Sequence, residues 1–391
     1  MKQGTDNPAG MGPDRPLRWL LLASHVPAGG GGGGMIRYVV ELARGLQRTP
    51  EVELHVVADE AAASWWAEEL DSHDRVHPVR SLPVPVTSLL ERRGWGMPTS
   101  HTSFDVVHGA KHLLPPESGA LRLLTVHDML PLDRPWDFGA AKRALLRGPY
   151  LQSVREADAI VCVSAATRDR LCNYVPAAAG KSQVVGLAAS SALLSTPSVE
   201  VAALVGARFA LVVGDQSPRK NLPLVIGAWP EVVAAVPDAV LAVVGPPGWG
   251  TTALGPGVER LRREGSLRLL GHVGDGELRW CYEHARVAAM PSLLEGFGLP
   301  AVEARAFGAP LLTSEDPALG EAAAGQARIV STTRQDLWAG ALIEAMSADR
   351  ELASTTALLD RDWDDVALET VAVARTALAG RSPQGRRRDA S

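Results

Sequence analysis

Three cysteines in 391 residues, Cys162, Cys172 and Cys281, are too few and too unevenly spaced to staple a fold or to build a zinc site. A reducing cytoplasm is the expected setting. Long apolar runs are missing as well. The stretch from Trp19 to Ala23 falls far short of the roughly 20 residues that a bilayer span requires, and the polar, Gly- and Pro-containing start before it does not read as a secretory signal. An excess of positive charge is absent. A formal net charge of −5 exerts no general attraction on polyanions, which argues against nucleic acid as a partner. No repeat of solenoid length occurs. No Gly-Lys-Ser/Thr follows the glycine run, which excludes a Walker A loop, and no acidic residue stands where a dinucleotide fingerprint requires one. No Asp-x-Asp pair ends a strand, so no metal is expected to be required.

What is present suits packed domains. Hydrophobic residues make up 46% and charged residues 21% of a chain long enough for two cores. Short β-type runs alternate with helical stretches: Trp19 to Ala23, Val52 to Ala58, Phe104 to His108, Leu121 to Val126 and Ala159 to Val163. That rhythm predicts parallel strands with crossover helices. Between the first two runs, Ile36, Val39, Val40, Ala43 and Leu46 recur at helical spacing. A second series follows at Phe209 to Val213, Ala239 to Val244, Leu267 to Leu270, Val287 to Met290 and Pro310 to Thr313. The fold expected is α/β, with two Rossmann-like parallel-sheet domains facing a cleft.

The expected boundaries are a disordered leader over 1–16, a first domain over 17–189, a linker over 190–200 and a second domain over 201–362. A last helix over 363–379, within a helical stretch from Glu351 to Ala379, is expected to cover the domain junction through Trp363, Val366, Ala367, Val371 and Ala374. Residues 380–391, with Arg381 and Arg386 to Arg388, are expected to form a disordered tail. The stretch Pro78 to Ser103, with Trp95, Met97 and several prolines, reads as an irregular loop.

Several segments carry chemistry. Gly29 to Gly34 lies between a strand and a helix, so backbone N–H groups and the helix dipole can meet an anion there; a flexible surface loop has the same composition. Arg37 and Tyr38 lie in the first helical turn, where they can support the loop. Val212-Val213-Gly214 ends a strand and leads through Pro218 to Arg219-Lys220-Asn221, placing two adjacent cations at a strand end. Such a pair neutralises a diphosphate, Arg by planar multidentate bonding and Lys as a point charge, or is simply solvated.

The most specific segment runs from Pro291 to Ala304. Its two carboxylates, Glu295 and Glu303, have seven residues between them. Glycines there allow backbone amides to approach phosphate, and a helix beginning near Pro300 aims its positive end at it. Glu303, read as lying in the first turn, can accept hydrogen bonds from a vicinal diol or serve as a capping group. Glu295 faces the loop. In the first half, Leu121 to Val126 delivers His127-Asp128 to a strand end, and His108 is a weaker candidate of the same kind.

These segments together resemble the family-four retaining glycosyltransferases, a large bacterial group that includes many mannosyltransferases. The resemblance extends over nearly the whole chain. It covers the Gly-rich start with Arg37 to Ala43, Asp105 to His108, Thr125 to Asp128, Val163-Ser164, Val213-Gly214 through Asn221, Gly271-His272-Val273, the Glu295 to Glu303 signature, Leu319-Gly320-Glu321 and the Trp363 helix. Two departures are Ile36, where relatives often have Gly, and Gly320, where Pro is common.

The resemblance implies a GT-B architecture in which the second domain holds a nucleotide diphosphate sugar and the first contacts the acceptor. It implies that Arg219 and Lys220 bind the diphosphate, Glu303 the ribose and Glu295 the sugar. Amides around Phe297, Gly298 and Leu299 assist the phosphates, and His272 and Val273 meet the base. Gly33 and Gly34 approach the donor phosphate, and His127, followed by Asp128, lines the sugar. It further implies retention by front-face attack without cofactor or metal. GDP-mannose is the expected donor, with a saccharide, lipid-linked or small-molecule hydroxyl as acceptor. Lys142, Arg143 and Arg147 mark a basic face compatible with weak peripheral contact at the inner face of the membrane, though a solvated helix face reads the same way. A nucleotide-sugar-binding regulator without turnover, and an epimerase or phosphorylase on the same scaffold, are the alternatives.

Overall fold

Strands buried on both faces are near-continuous in apolar residues, and parallel pairing with helical crossovers is how such strands are covered. The computed structural model describes residues 15–81, 90, 93, 104–111, 113–115, 119–248, 254–255, 257–348 and 361–381. It contains two such sheets. The first joins β1 (Leu17–Leu22), β2 (Val52–Asp59), β3 (Val76–Val79), β4 (Val106–Gly109), β5 (Leu121–Val126), β6 (Ala159–Cys162) and β7 (Ser182–Val184) in the spatial order β3-β2-β1-β4-β5-β6-β7. The second joins β8 (Arg208–Val213), β9 (Ala239–Val244), β10 (Leu267–Gly271), β11 (Val287–Met290), β12 (Leu311–Thr313) and β13 (Ala327–Ile329) as β10-β9-β8-β11-β12-β13. Every pairing is parallel.

In each sheet the order reverses once, between β1 and β4 and between β8 and β11. At such switch points the connections leave in opposite directions and open a crevice at the strands' carboxyl ends. The glycine run leaves β1, the Arg219-Lys220 turn leaves β8, and the Glu295 loop leaves β11. Topology alone thus gathers three of the motifs at crevices.

The helices that bear on the site are α1 (Gly34–Arg48), α2 (Ala165–Tyr174), α3 (Asp275–His284), α4 (Leu299–Ala306), α5 (Pro317–Ala323) and α6 (Trp363–Gly380). Helix α6 begins at an Asp362 cap that accepts from the N–H groups of Asp364 and Asp365. It returns the chain to the first core, where Trp363, Val366, Ala367, Val371 and Ala374 are buried with Val39, Leu42 and Leu46 of α1. The Trp363 indole N–H donates to Ala189 O at 2.9 Å.

The segment 190–200, read from sequence as a linker, contains a helical turn, Ser191–Ser195, anchored where Ser190 Oγ donates to the buried Glu41 of α1 at 2.8 Å. Small residues that suggest a flexible connection serve here to let it pack closely. The helix expected from Glu351 is observed from Trp363, with 349–360 outside the described residues. Residues 1–14 of the leader, nearly all of 82–103 of the irregular loop, residues 382–391 of the tail and the Lys142 side chain also lie outside them. Among the described residues no helix is long and apolar enough to cross a membrane.

Candidate active site

The turn leaving β8 is short because Pro218 presets its entry and Asn221 closes it in the left-handed conformation. Lys220 folds back over Gly214, where a Cβ would stand 2.8 Å from Lys220 Cε, so a side chain at that position would push the lysine from its path. Both cations reach Glu295: Arg219 Nη1 lies 2.6 Å from Oε2 and Lys220 Nζ 2.7 Å from Oε1. Ser292 Oγ donates to the same Oε1 at 2.6 Å. Burial by itself would raise the Glu295 pKa; the charges of Arg219 and Lys220, with the hydrogen bonds, outweigh it and hold the carboxyl at about 2. Burial likewise opposes the charge on Arg219, yet Glu295, Asp215 and Asp128 raise its pKa. Two cations share one carboxylate at these contacts.

Glu303 lies at the centre of a second cluster. Helix α4 starts at Leu299, so Glu303 is its fifth residue and not part of the first turn, as the sequence was read. Its carboxylate does not cap the helix. It accepts from Arg37 Nη1 at 2.5 Å and from the Tyr282 hydroxyl at 2.9 Å, and Arg37 Nη2 continues to Asp275 at 3.2 Å. Burial, and then the Glu303 charge, push the Tyr282 pKa well above the ordinary phenol value. Arg37, read from sequence as support for the glycine loop, therefore crosses the cleft. His272 and Val273 lie between β10 and α3, just ahead of Asp275.

The first half presents the end of β5. His127 is buried, its Nε2–H donating to Ala110 O at 2.8 Å and its ring edge-on to Tyr38 with centroids 4.7 Å apart. Burial lowers its pKa and leaves the ring neutral. Asp128 Oδ1 accepts the Leu130 N–H at 3.0 Å, a local turn contact. What meets the other half is backbone: a Cβ on Gly296 would stand 1.8 Å from His127 O, so the Glu295–Gly296 loop lies flat against this strand end. His108 is a core group, hydrogen-bonded through Nε2 to Thr125 Oγ1 at 2.7 Å; burial and the neighbouring His127 lower its pKa to about 3.

Gly33 and Gly34 open α1, and a Cβ on Gly34 would lie 3.4 Å from Leu299 Cδ1. Gly298, at φ +104°, starts α4, and the Phe297 side chain packs against both the first core and the second. The structure thus joins Arg219, Lys220 and Glu295 in one cluster with His127 and Asp128 behind the loop. It places Glu303 in another, beside the glycine loop and the 272–273 segment. Sequence reading missed Tyr282 as a partner of Glu303 and Asp275 as the second partner of Arg37; it marked Ser164 only within the family resemblance and missed Thr167 and Arg170, which together with Ser164 hold the Glu295 loop from the first half. Contacts made across 21 residues, as between Tyr282 and Glu303, or across more than a hundred, as for the others, leave no local pattern; only Ser164, standing before α2 as an N-cap, carries such a signal.

Two parallel α/β sheets with facing switch-point loops, cations at one and glycines at the other, have the architecture of the GT-B class. The chain matches the model for glycosyl transferases group 1 over residues 200–356 and that for glycosyltransferase family 4 over 32–187, and it belongs to this family. It is 31% identical to O-antigen chain mannosyltransferase B of Escherichia coli over 172 residues, 42% of this chain and 44% of that one. It is 29% identical to the glycogen synthase of Mycobacterium tuberculosis over 242 residues, 60% and 58% of the two chains. The match thus spans less than two thirds of either relative. Among solved structures, Anabaena Alr3699/HepE in complex with UDP-glucose aligns with a TM-score of 0.60 at 14% identity, over 93% of this chain and 98% of that one. Sucrose-phosphate synthase from Thermosynechococcus elongatus aligns at 0.61 and 17%, over 93% and 100%. These two likenesses describe the fold.

Proposed function

We propose that the protein transfers a hexose, with mannose the leading choice, from a nucleotide diphosphate sugar to a hydroxyl acceptor, retaining the anomeric configuration and requiring no metal. The observation that carries this reading is the Arg219, Lys220 and Glu295 cluster at the β8/β11 switch point, facing the His127–Asp128 strand end. In the reaction the bond from the anomeric carbon to the phosphate oxygen breaks and one to the acceptor oxygen forms on the same face. The acceptor proton passes to the departing phosphate oxygen, and the products are a glycoside and a nucleoside diphosphate.

The catalytic demand is negative charge developing on the diphosphate. Arg219 and Lys220 meet it as fixed cations in a water-poor cleft, which is the ground for proposing metal independence. Glu295 then turns from the cations to the sugar hydroxyls, and Glu303 exchanges Arg37 for the ribose diol. GDP-mannose as donor is supported by the mannosyltransferase among the relatives.

The test is thermal stabilisation by GDP, UDP, ADP and their sugars, followed by transfer assays with and without chelator. One nucleotide should raise the melting temperature, and the Arg219→Ala/Lys220→Ala variant should lose that shift. Each single substitution should add on the order of 2 to 4 kcal/mol to the barrier, if it acts as a lost oxyanion donor does. A wild-type protein indifferent to all three nucleotides would refute the reading, and loss of transfer in chelator would refute metal independence.

A further inference from the structure

The Glu295 loop has a weak point by construction. Gly296 admits no side chain, because His127 O occupies the place of its Cβ, and glycine is the residue with the most backbone freedom to lose. Nothing in the second half's own cation cluster restrains that residue. The restraint comes from the first half. Ser164 Oγ and Thr167 Oγ1 donate to Gly296 O at 2.5 and 2.9 Å, and Arg170 Nη1 donates to Glu295 O at 2.7 Å.

These donors recur at every third position from the N-cap into α2, so they form one helix face. Both carbonyls that frame the Glu295–Gly296 backbone are therefore held from across the cleft. Arg170 continues through Nη2 to the buried Asp316 at 2.5 Å, so both of its hydrogen-bond partners belong to the other half. At the start of α2, the Glu321 carboxylate of α5 accepts the Ala165 and Ala166 N–H groups at 2.8 and 2.7 Å. A carboxylate at a helix N-terminus satisfies free donors and meets the positive end of the dipole.

We propose that Arg170 is a positioning residue for the diphosphate site, with Glu321 as the second pin of the same clamp. Seated on α2, Arg170 fixes the Glu295–Gly296 backbone when the halves meet, so that Glu295, Arg219 and Lys220 take their working geometry only in the closed molecule. Planar peptides transmit the constraint: holding the carbonyl of residue 295 limits where its own side chain can point. The proposal rests on reading this cluster as the sugar-nucleotide site, and it adds that donor binding and transfer competence are separable. The second half alone holds the cations, and the first half sets them.

Arg170→Ala and Arg170→Lys are compared with wild type in steady-state transfer and in nucleoside diphosphate binding by calorimetry. Arg170→Ala should lower kcat by roughly tenfold to a hundredfold, the range for a misplaced catalytic group. Donor KM and nucleotide affinity should stay near wild type, and Lys should restore part of kcat. A kcat near wild type overturns the proposal. So does a joint fall of kcat, affinity and melting temperature that Lys does not relieve, since that marks a merely structural residue. If wild type transfers from no nucleotide sugar, the function reading fails, and X-ray scattering of the ligand-free protein decides the clamp separately. A larger radius of gyration in Arg170→Ala/Glu321→Ala supports it, and an unchanged one overturns it.

Discussion

Glu295 is the residue at which stability and binding should pull in opposite directions. Its carboxylate is buried, shared by Arg219 and Lys220, and held at about 2 against an ordinary 4.5, which corresponds to about 3 kcal/mol favouring the charged form. Glu295→Gln keeps the shape and removes the charge, leaving two enclosed cations without their counter-ion. Breaking buried pairs in this way costs about 3 to 5 kcal/mol, so the ligand-free variant should lose about 3 kcal/mol in urea unfolding. A nucleoside diphosphate brings negative charge back to the same cations. In wild type it must displace Glu295; in the variant it need not. The variant should therefore bind the nucleoside diphosphate more tightly and be stabilised by it more than wild type, while transferring less sugar. The pH dependence has a definite sign. The depressed carboxyl contributes stability that is full above about 4.5 and is lost as pH falls through about 2. Urea titrations of both proteins at pH 7, with and without saturating GDP, UDP and ADP, measure the stability and binding differences, and repeating the ligand-free titrations at stepwise lower pH measures the pH dependence. Equal stability of the two ligand-free proteins, or a smaller ligand-induced gain in the variant, would refute the reasoning.

Three further outcomes are expected. Gly296→Ala places a Cβ 1.8 Å from His127 O, so the loop must lift away from β5; transfer should fall at least as far as in Arg170→Ala, with urea unfolding showing whether the fold survives. His108 is buried and neutral with its pKa at about 3, and His127 is lowered in the same direction. The His108 contribution is full above the unfolded-state value near 6.5 and is lost as pH falls toward 3, at up to about 1.4 kcal/mol per pH unit, and His127 acts with the same sign; a stability that is flat between pH 6.5 and 5 would count against it. Trp363→Ala removes a fully buried indole and its bond to Ala189 O and should cost about 3 to 5 kcal/mol, measured by urea unfolding.

The interior strands were legible because burial on both faces forces apolar runs. The strands that escaped notice are β3, β7 and β13, each at a sheet edge. An edge strand needs no continuous apolar run: Val184 is 40% and Ile329 60% exposed, and β3 carries Pro78. In the site, Arg219, Lys220, Glu295 and Glu303 stood out through their spacing. Arg37 showed only as a charge in a first helical turn, since its partner Glu303 lies 266 residues away. Asp275, Tyr282, Thr167 and Arg170 matter only through contacts that folding creates. His127 was visible as a strand-end histidine, but its Nε2–H is committed to Ala110, and its carbonyl is what meets the opposite loop.

Helix α6 bears on how the chain can be made. Its buried face completes the core of the first sheet, yet the whole second sheet lies between β7 and α6 in the chain. During synthesis the apolar side of α1, with Val39, Leu42 and Leu46, is covered by the first sheet but lacks the share that α6 contributes until the helix emerges. At about 5 to 20 residues per second that interval lasts roughly ten to forty seconds. The usual order, in which the amino-terminal domain is finished first, is unavailable here. The second half is free to fold around its own cores while the first waits for its last helix. The amino-terminal half should therefore be the part that occupies chaperones during translation.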